Sequence, residues 1–137
     1  MARILSIDYG KKRTGLAVSD PLQLIAGGLA TVATNELYDY LTQYVAREQV
    51  ERIVMGDPRQ PNGQPSENHE RVHQFVARWQ KAMPDIPVTF YDERFTSVLA
   101  HQAMLDAGLK KKARQDKALV DEISATIILE DYLRSRK

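Results

Sequence analysis

Two sets of side chains compete for a chemical role in this chain. Asp8 closes the apolar run "ILSI", Glu93 closes "VTFYDE", and Asp121 heads the stretch "DEISATIILEDYL". Three carboxylates drawn together repel one another unless a cation joins them, and Mg2+ or Mn2+ suits a donor set made only of oxygen. Such a centre handles phosphoryl transfer: one metal activates a water for in-line attack on phosphorus and a second, about 3.5 to 4 Å away, stabilises the leaving oxygen. The second set lies in "HERVH". There His69, Glu70 and His73 match the pattern by which one helix face offers zinc two imidazoles, with a glutamate to activate the bound water. Glu93 stands at a downstream distance suited to a third zinc ligand.

The elements that must position these groups follow from periodicity. "RILSID", "TGLAVSD" and "GGLATVAT" read as three strands, the first two joined through "YGKKR" as an antiparallel hairpin. From Asn35, a good cap, Leu37, Tyr40, Leu41, Tyr44 and Val45 form one helical stripe. "RIVMGDP" reads as a buried strand ending at Gly56, followed by the polar loop "RQPNGQPS". A helix over 66–83 carries Val72, Phe75, Val76 and Trp79 inward. "VTFYDE", entered through Pro84 and Pro87, is a further strand, and "TSVLAHQAMLDAG" a helix capped by Thr96 or Ser97 and ended at Gly108. After the basic stretch 109–117 a last helix is expected over 119–134. Strands alternating with helices in the second half imply parallel crossovers, so the expected architecture is α/β, a mixed five-stranded sheet flanked by helices, in one domain over 1–137.

In such a sheet, ligands collect beyond the carboxyl ends of the parallel strands. Asp8 and Glu93 fall there. Asp92 should point to the other side of its strand from Glu93 and is left out of the set. Asp121 shares a helical face with Ala125, Ile128 and Tyr132, and the small Ala125 lets that face come close to the sheet. The zinc alternative is weaker. Its third ligand should come from a helix packed beside the first, yet Glu93 follows a proline-bounded strand, and neither Asp8 nor Asp121 is used. His69 and His73 are therefore read as the partly exposed shoulder of an amphipathic helix.

Composition narrows the class. The 137 residues include 19 Lys and Arg, 18 Asp and Glu and no cysteine, which excludes disulfides and thiolate metal sites. No apolar run reaches the roughly 20 residues of a spanning helix, and the first residues lack a secretory pattern, so a cytoplasmic location is expected. The net charge of +1 is uninformative, but its distribution is not. Lys11, Lys12 and Arg13 cluster beside Asp8, Arg94 follows Glu93, and Lys110, Lys111 and Lys112 form a run. These cations are the expected contacts to nucleic-acid phosphates.

The blocks "ILSIDYGKKRTGLAVSD", "RIVMGDP", "YDERFTS" and "VDEISATIILEDYL", in this order over nearly the whole chain, resemble the YqgF family, also called RuvX. The resemblance implies a ribonuclease H-like fold with Asp8, Glu93 and Asp121 as metal-binding catalytic acids. It implies a nuclease that matures the 5′ end of 16S ribosomal RNA, with Holliday junction resolution on branched DNA as the alternative. Two departures stand out: Asp57, where the family usually carries an apolar residue, and Glu122, where a small one often follows the last acid. Both are expected to add acid near the site. Structured RNA or branched DNA is the expected partner, with the chain a monomer or homodimer. Two rival classes remain, a non-catalytic RNA-binding module and an ATPase-like phosphate-binding domain suggested by "IDYG".

Overall fold

The strand β1 (Arg3–Tyr9) organises the molecule because both of its faces are buried. Strands covered on both sides read as near-continuous apolar runs. Here Leu5 and Ile7 enter one core while Ile4 enters another. This computed structural model describes residues 2–57, 68–92 and 117–135.

From β1 the chain turns through residues 10–12 into β2 (Arg13–Ser19) and then into β3 (Ala26–Ala33), both antiparallel to their predecessors. Gly10 is required in the first turn, since a Cβ there would lie 2.1 Å from the carbonyl oxygen of Arg13. Thr34 ties that turn down: its amide donates to the Lys12 carbonyl and its hydroxyl to that of Gly10. The turn between β2 and β3 is built on Asp20, whose carboxylate accepts from the amides of Leu22, Leu24 and Ile25.

The helix expected from Asn35 opens instead with a 3-10 turn over Thr34–Glu36, and α1 runs Leu37–Arg47 with no side-chain cap. Burial of Leu37, Leu41 and Tyr44 on one stripe substitutes for the missing cap as the source of stability. Then β4 (Val50–Asp57) pairs parallel with β1, α2 (His69–Ala82) follows, and β5 (Val88–Asp92) pairs parallel with β4. The last helix, α3 (Lys117–Ser135), starts two residues before its expected position. The order across the mixed sheet is β3-β2-β1-β4-β5. The helix expected over 96–108 lies outside the described residues.

Two cores flank the sheet. Against α1 and α2 pack Leu5, Ile7, Leu16, Ile53 and Met55, with Val72, Val76 and the fully buried Trp79 from α2. Against α3 pack Ile4, Ala17 and Val54, with Ala125, Ile128, Leu129 and Leu133 from the helix. Strand parity sorts the residues: in β4, Val54 faces α3 and Met55 faces α1 and α2. Tyr91 of β5 adds a hydroxyl bond to the carboxylate of Asp131 in α3.

Candidate functional site

Asp8 stands two residues beyond Ser6, whose hydroxyl donates to the carbonyl of Ala125 in α3 at 2.6 Å. Alternation along the strand therefore turns Asp8 to the α3 face. Its register partner across the hairpin is Gly15. Gly15 lets α3 descend onto the sheet, because a Cβ built there would lie 2.1 Å from the backbone oxygen of Asp121. Asp8 and Asp121, 113 positions apart in the chain, thus flank the same glycine at one end of the sheet. The stripe read from sequence holds: Ala125 and Ile128 are fully buried, while Asp121 sits at the half-buried end of the same face.

Arg13, at the start of β2, donates from Nε to Asp121 Oδ2 at 3.1 Å. The cation sits against one of the two acids, and 41% of its side chain stays accessible. Lys11 and Lys12 are exposed in the adjoining turn. Glu122 lies over the edge strand, where its carboxylate would meet a Cβ placed on Gly28 at 2.5 Å. Glu93, Arg94, Lys110, Lys111 and Lys112 lie outside the described residues.

Asp57 does not join the acids. It follows Met55 by two residues and so faces α2, where its carboxylate is 93% buried and its Oδ1 lies 2.9 Å from His69 Nδ1. His73 Nε2 is 3.6 Å from the same oxygen. Among the described residues, Asp57, His69 and His73 are the group of three whose ligand atoms come close enough to share a metal ion, all within 4.8 Å. The histidine pair was legible in the sequence; its partner was not, because the link depends on which face of β4 Asp57 takes.

A cleft of about 380 Å3 opens beside the turn after β1, lined by Tyr9, Lys11 and Tyr38 and by Arg71, Phe75 and Arg78 of α2. The three α2 residues recur at helical spacing and so share one face. The Arg78 guanidinium lies 4.0 Å from the Tyr38 ring centre, and Tyr9 and Phe75 pack at 5.6 Å. Cations around an aromatic floor suit phosphates and unstacked bases. The apolar period of α2 marks Phe75 as an inward residue but carries no signal for the two arginines, since lone charges on a helix usually mark only a solvated face.

Residues 2–135 match the profile of a family described as RuvX, Holliday junction resolvase. The chain is 66% identical over 137 residues to a protein of Phocaeicola vulgatus and 61% identical to one of Bacteroides fragilis. Both are named as candidate pre-16S rRNA nucleases, and in each case 100% of this chain and 99% of the relative align. Among solved structures, the fowlpox virus Holliday junction resolvase aligns at a TM-score of 0.58 and 14% identity, over 97% of this chain and 99% of that one. RuvC of T. thermophilus, solved with a Holliday junction substrate, aligns at 0.59 and 15%, over 99% and 96%. The shared fold is ribonuclease H-like, as the family resemblance implied.

Proposed function

Because the chain belongs to the RuvX family, we propose that it is a divalent-metal-dependent nuclease of the cytoplasm that trims the 5′ end of precursor 16S ribosomal RNA. The observation that carries the reading is the approach of α3 to Gly15, which sets Asp121 beside the strand end that bears Asp8.

Asp8 and Asp121, with Glu93 as the third acid, would hold Mg2+ or Mn2+. The described donors are carboxylate oxygens, which fit a hard cation. When bound, the cation lowers the pKa of an attacking water and neutralises charge at phosphorus. The chain's own residues do the rest. Ser6 and Gly15 fix the height of α3, and with it the position of Asp121. Arg13 orients that carboxylate and keeps N–H groups available for the flanking phosphate. Lys11, Lys12, Arg94 and the Lys110, Lys111 and Lys112 run would follow the nucleic-acid backbone. The arginine-rimmed cleft is suited to a single strand leaving the site, which favours RNA with unpaired ends over a closed duplex.

The test incubates purified protein with labelled precursor 16S RNA and with a four-way DNA junction, each with Mg2+, Mn2+ or chelator. Cleavage of the RNA that needs metal, and that falls to background in Asp8→Asn and Asp121→Asn proteins of unchanged circular dichroism, is the expected result. Symmetric nicking of the junction with the RNA untouched would transfer the same site to branched DNA. Full activity in the Asp8→Asn protein would remove the assignment.

A further inference from the structure

We propose that Asp57, His69 and His73 form a second metal site, for zinc or a similar transition metal, on the face of the sheet opposite the nuclease acids. The two imidazoles come from successive turns of α2 and the carboxylate from the last residue of β4. His69 Nδ1 and His73 Nε2 lie 2.9 and 3.6 Å from Asp57 Oδ1. Ligand atoms about 2.0 to 2.2 Å from a tetrahedral zinc stand about 3.3 Å apart, so the two separations bracket the required value. Mixed imidazole and carboxylate donors select zinc over magnesium.

A second observation points the same way. His73 Nε2 is buried and has no hydrogen-bond partner among the described residues, and 3.6 Å is too long for one to the carboxylate. A buried ring nitrogen with no partner is costly, and a metal removes that cost. The ring is also held for the purpose, stacked on Phe90 with centroids 4.2 Å apart, while the two imidazoles lie 4.1 Å from each other. Phe90 covers one side of the site with apolar surface, as supporting residues around metal ligands commonly do.

The site does not revive a zinc peptidase. Glu70, which would have to activate water, is exposed and accepts a bond from Gln74 one turn on. With three protein ligands and no general base among the described residues, the metal serves as a clip between the carboxyl end of β4 and the first two turns of α2. The preceding residue, Asn68, donates to the carbonyl of Tyr9, next to Asp8, so the clip braces one wall of the nuclease site.

Chelator-treated full-length protein titrated with zinc chloride, followed by calorimetry and thermal melting, tests this. One equivalent should bind, and the melting temperature should rise by about 5–10 °C at a hundredfold excess over the dissociation constant. The rise with zinc should be lost in His73→Gln and kept in Asp8→Asn, whereas any rise with magnesium chloride, which would come from the nuclease acids, should be kept in His73→Gln. His73→Gln and Asp57→Asn should each weaken zinc binding at least tenfold, whereas Asp8→Asn should leave it intact, which separates this site from the nuclease acids. Cobalt(II) added to the wild-type protein should give the visible absorption of tetrahedral coordination, a readout that needs no variant to fold. Absence of saturable zinc binding, or zinc binding unchanged in both the His69→Gln and the His73→Gln proteins, would overturn the proposal.

Discussion

Replacing Gly15 by alanine tests whether the approach of α3 positions Asp121. The new Cβ would lie 2.1 Å from the backbone oxygen of Asp121, 2.4 Å from its carbonyl carbon and 3.0 Å from the amide nitrogen of Glu122. These are backbone atoms and cannot rotate aside. Carbon and oxygen tolerate each other at about 3.3 to 3.5 Å, so the first turns of α3 must retreat by about 1 Å. The retreat pulls Ala125 from the Ser6 hydroxyl, now at 2.6 Å, and lifts Asp121 away from the end of β1.

Overpacking of this kind costs about 1–3 kcal/mol. For a domain of this size that corresponds to a melting temperature lower by roughly 3–10 °C. Catalysis should suffer more, because a misplacement near 1 Å costs about a hundredfold in rate. The measurement is single-turnover cleavage of labelled precursor RNA at saturating Mg2+, well below the melting temperature, beside a thermal melt. Gly27→Ala is the control. A Cβ at Gly27 meets nothing within 4 Å, so both stability and rate should stay at the wild-type level. A Gly15→Ala protein that cleaves within twofold of wild type would refute the reasoning, whatever its melting temperature.

Two further outcomes are expected. Arg71→Ala and Arg78→Ala, on the rim of the aromatic cleft, should each weaken RNA binding several-fold and lower the slope of log affinity against log salt by about 1, while the rate at saturating RNA changes little. Asp20 accepts backbone bonds, first from Ile25 and then from Leu24 and Leu22, which hold its carboxyl below the ordinary value of 3.8. A carboxyl depressed on folding stabilises the protein above its unfolded pKa and loses that contribution as pH falls through the folded one. The stability gap between wild type and Asp20→Ala should therefore be complete at neutral pH and shrink below about pH 4; an NMR titration midpoint for Asp20 above 3.8 would contradict this.

Much of the fold could be read from the chain because its strands and helices carry strong, separate periods. The apolar run of β1 and the stripe of Val72, Val76 and Trp79 admit one packing each. The faces that Asp8 and Asp121 take were legible for the same reason, since a residue's face follows from its position within a regular element. The opening of α1 was less legible: a 3-10 turn at Thr34–Glu36 replaces the expected Asn35 cap, and propensity cannot distinguish two ways of entering the same buried stripe. The cleft escaped notice because its members come from β1, its turn, α1 and α2. Only the packed layers bring Arg71 and Arg78 near Tyr38.

The place of Asp57 shows how a parity of one residue separates two chemistries. Had its carboxylate followed Val54 by an even number of positions, it would have faced α3 and crowded Asp8 and Asp121 with a further negative charge. It follows Met55 instead, and the register of β1 with β4 leaves no freedom to exchange faces without moving Val54 out of its core and Met55 into it. The acid at the carboxyl end of β4 therefore lies on the α2 side of the sheet, away from Asp8 and Asp121. There it needs a partner to justify its burial, and the first two turns of α2 supply two imidazoles. The departure at Asp57 and the pair in "HERVH" explain each other: the histidines make the buried carboxylate tolerable, and the carboxylate gives the two imidazoles a third donor beside them.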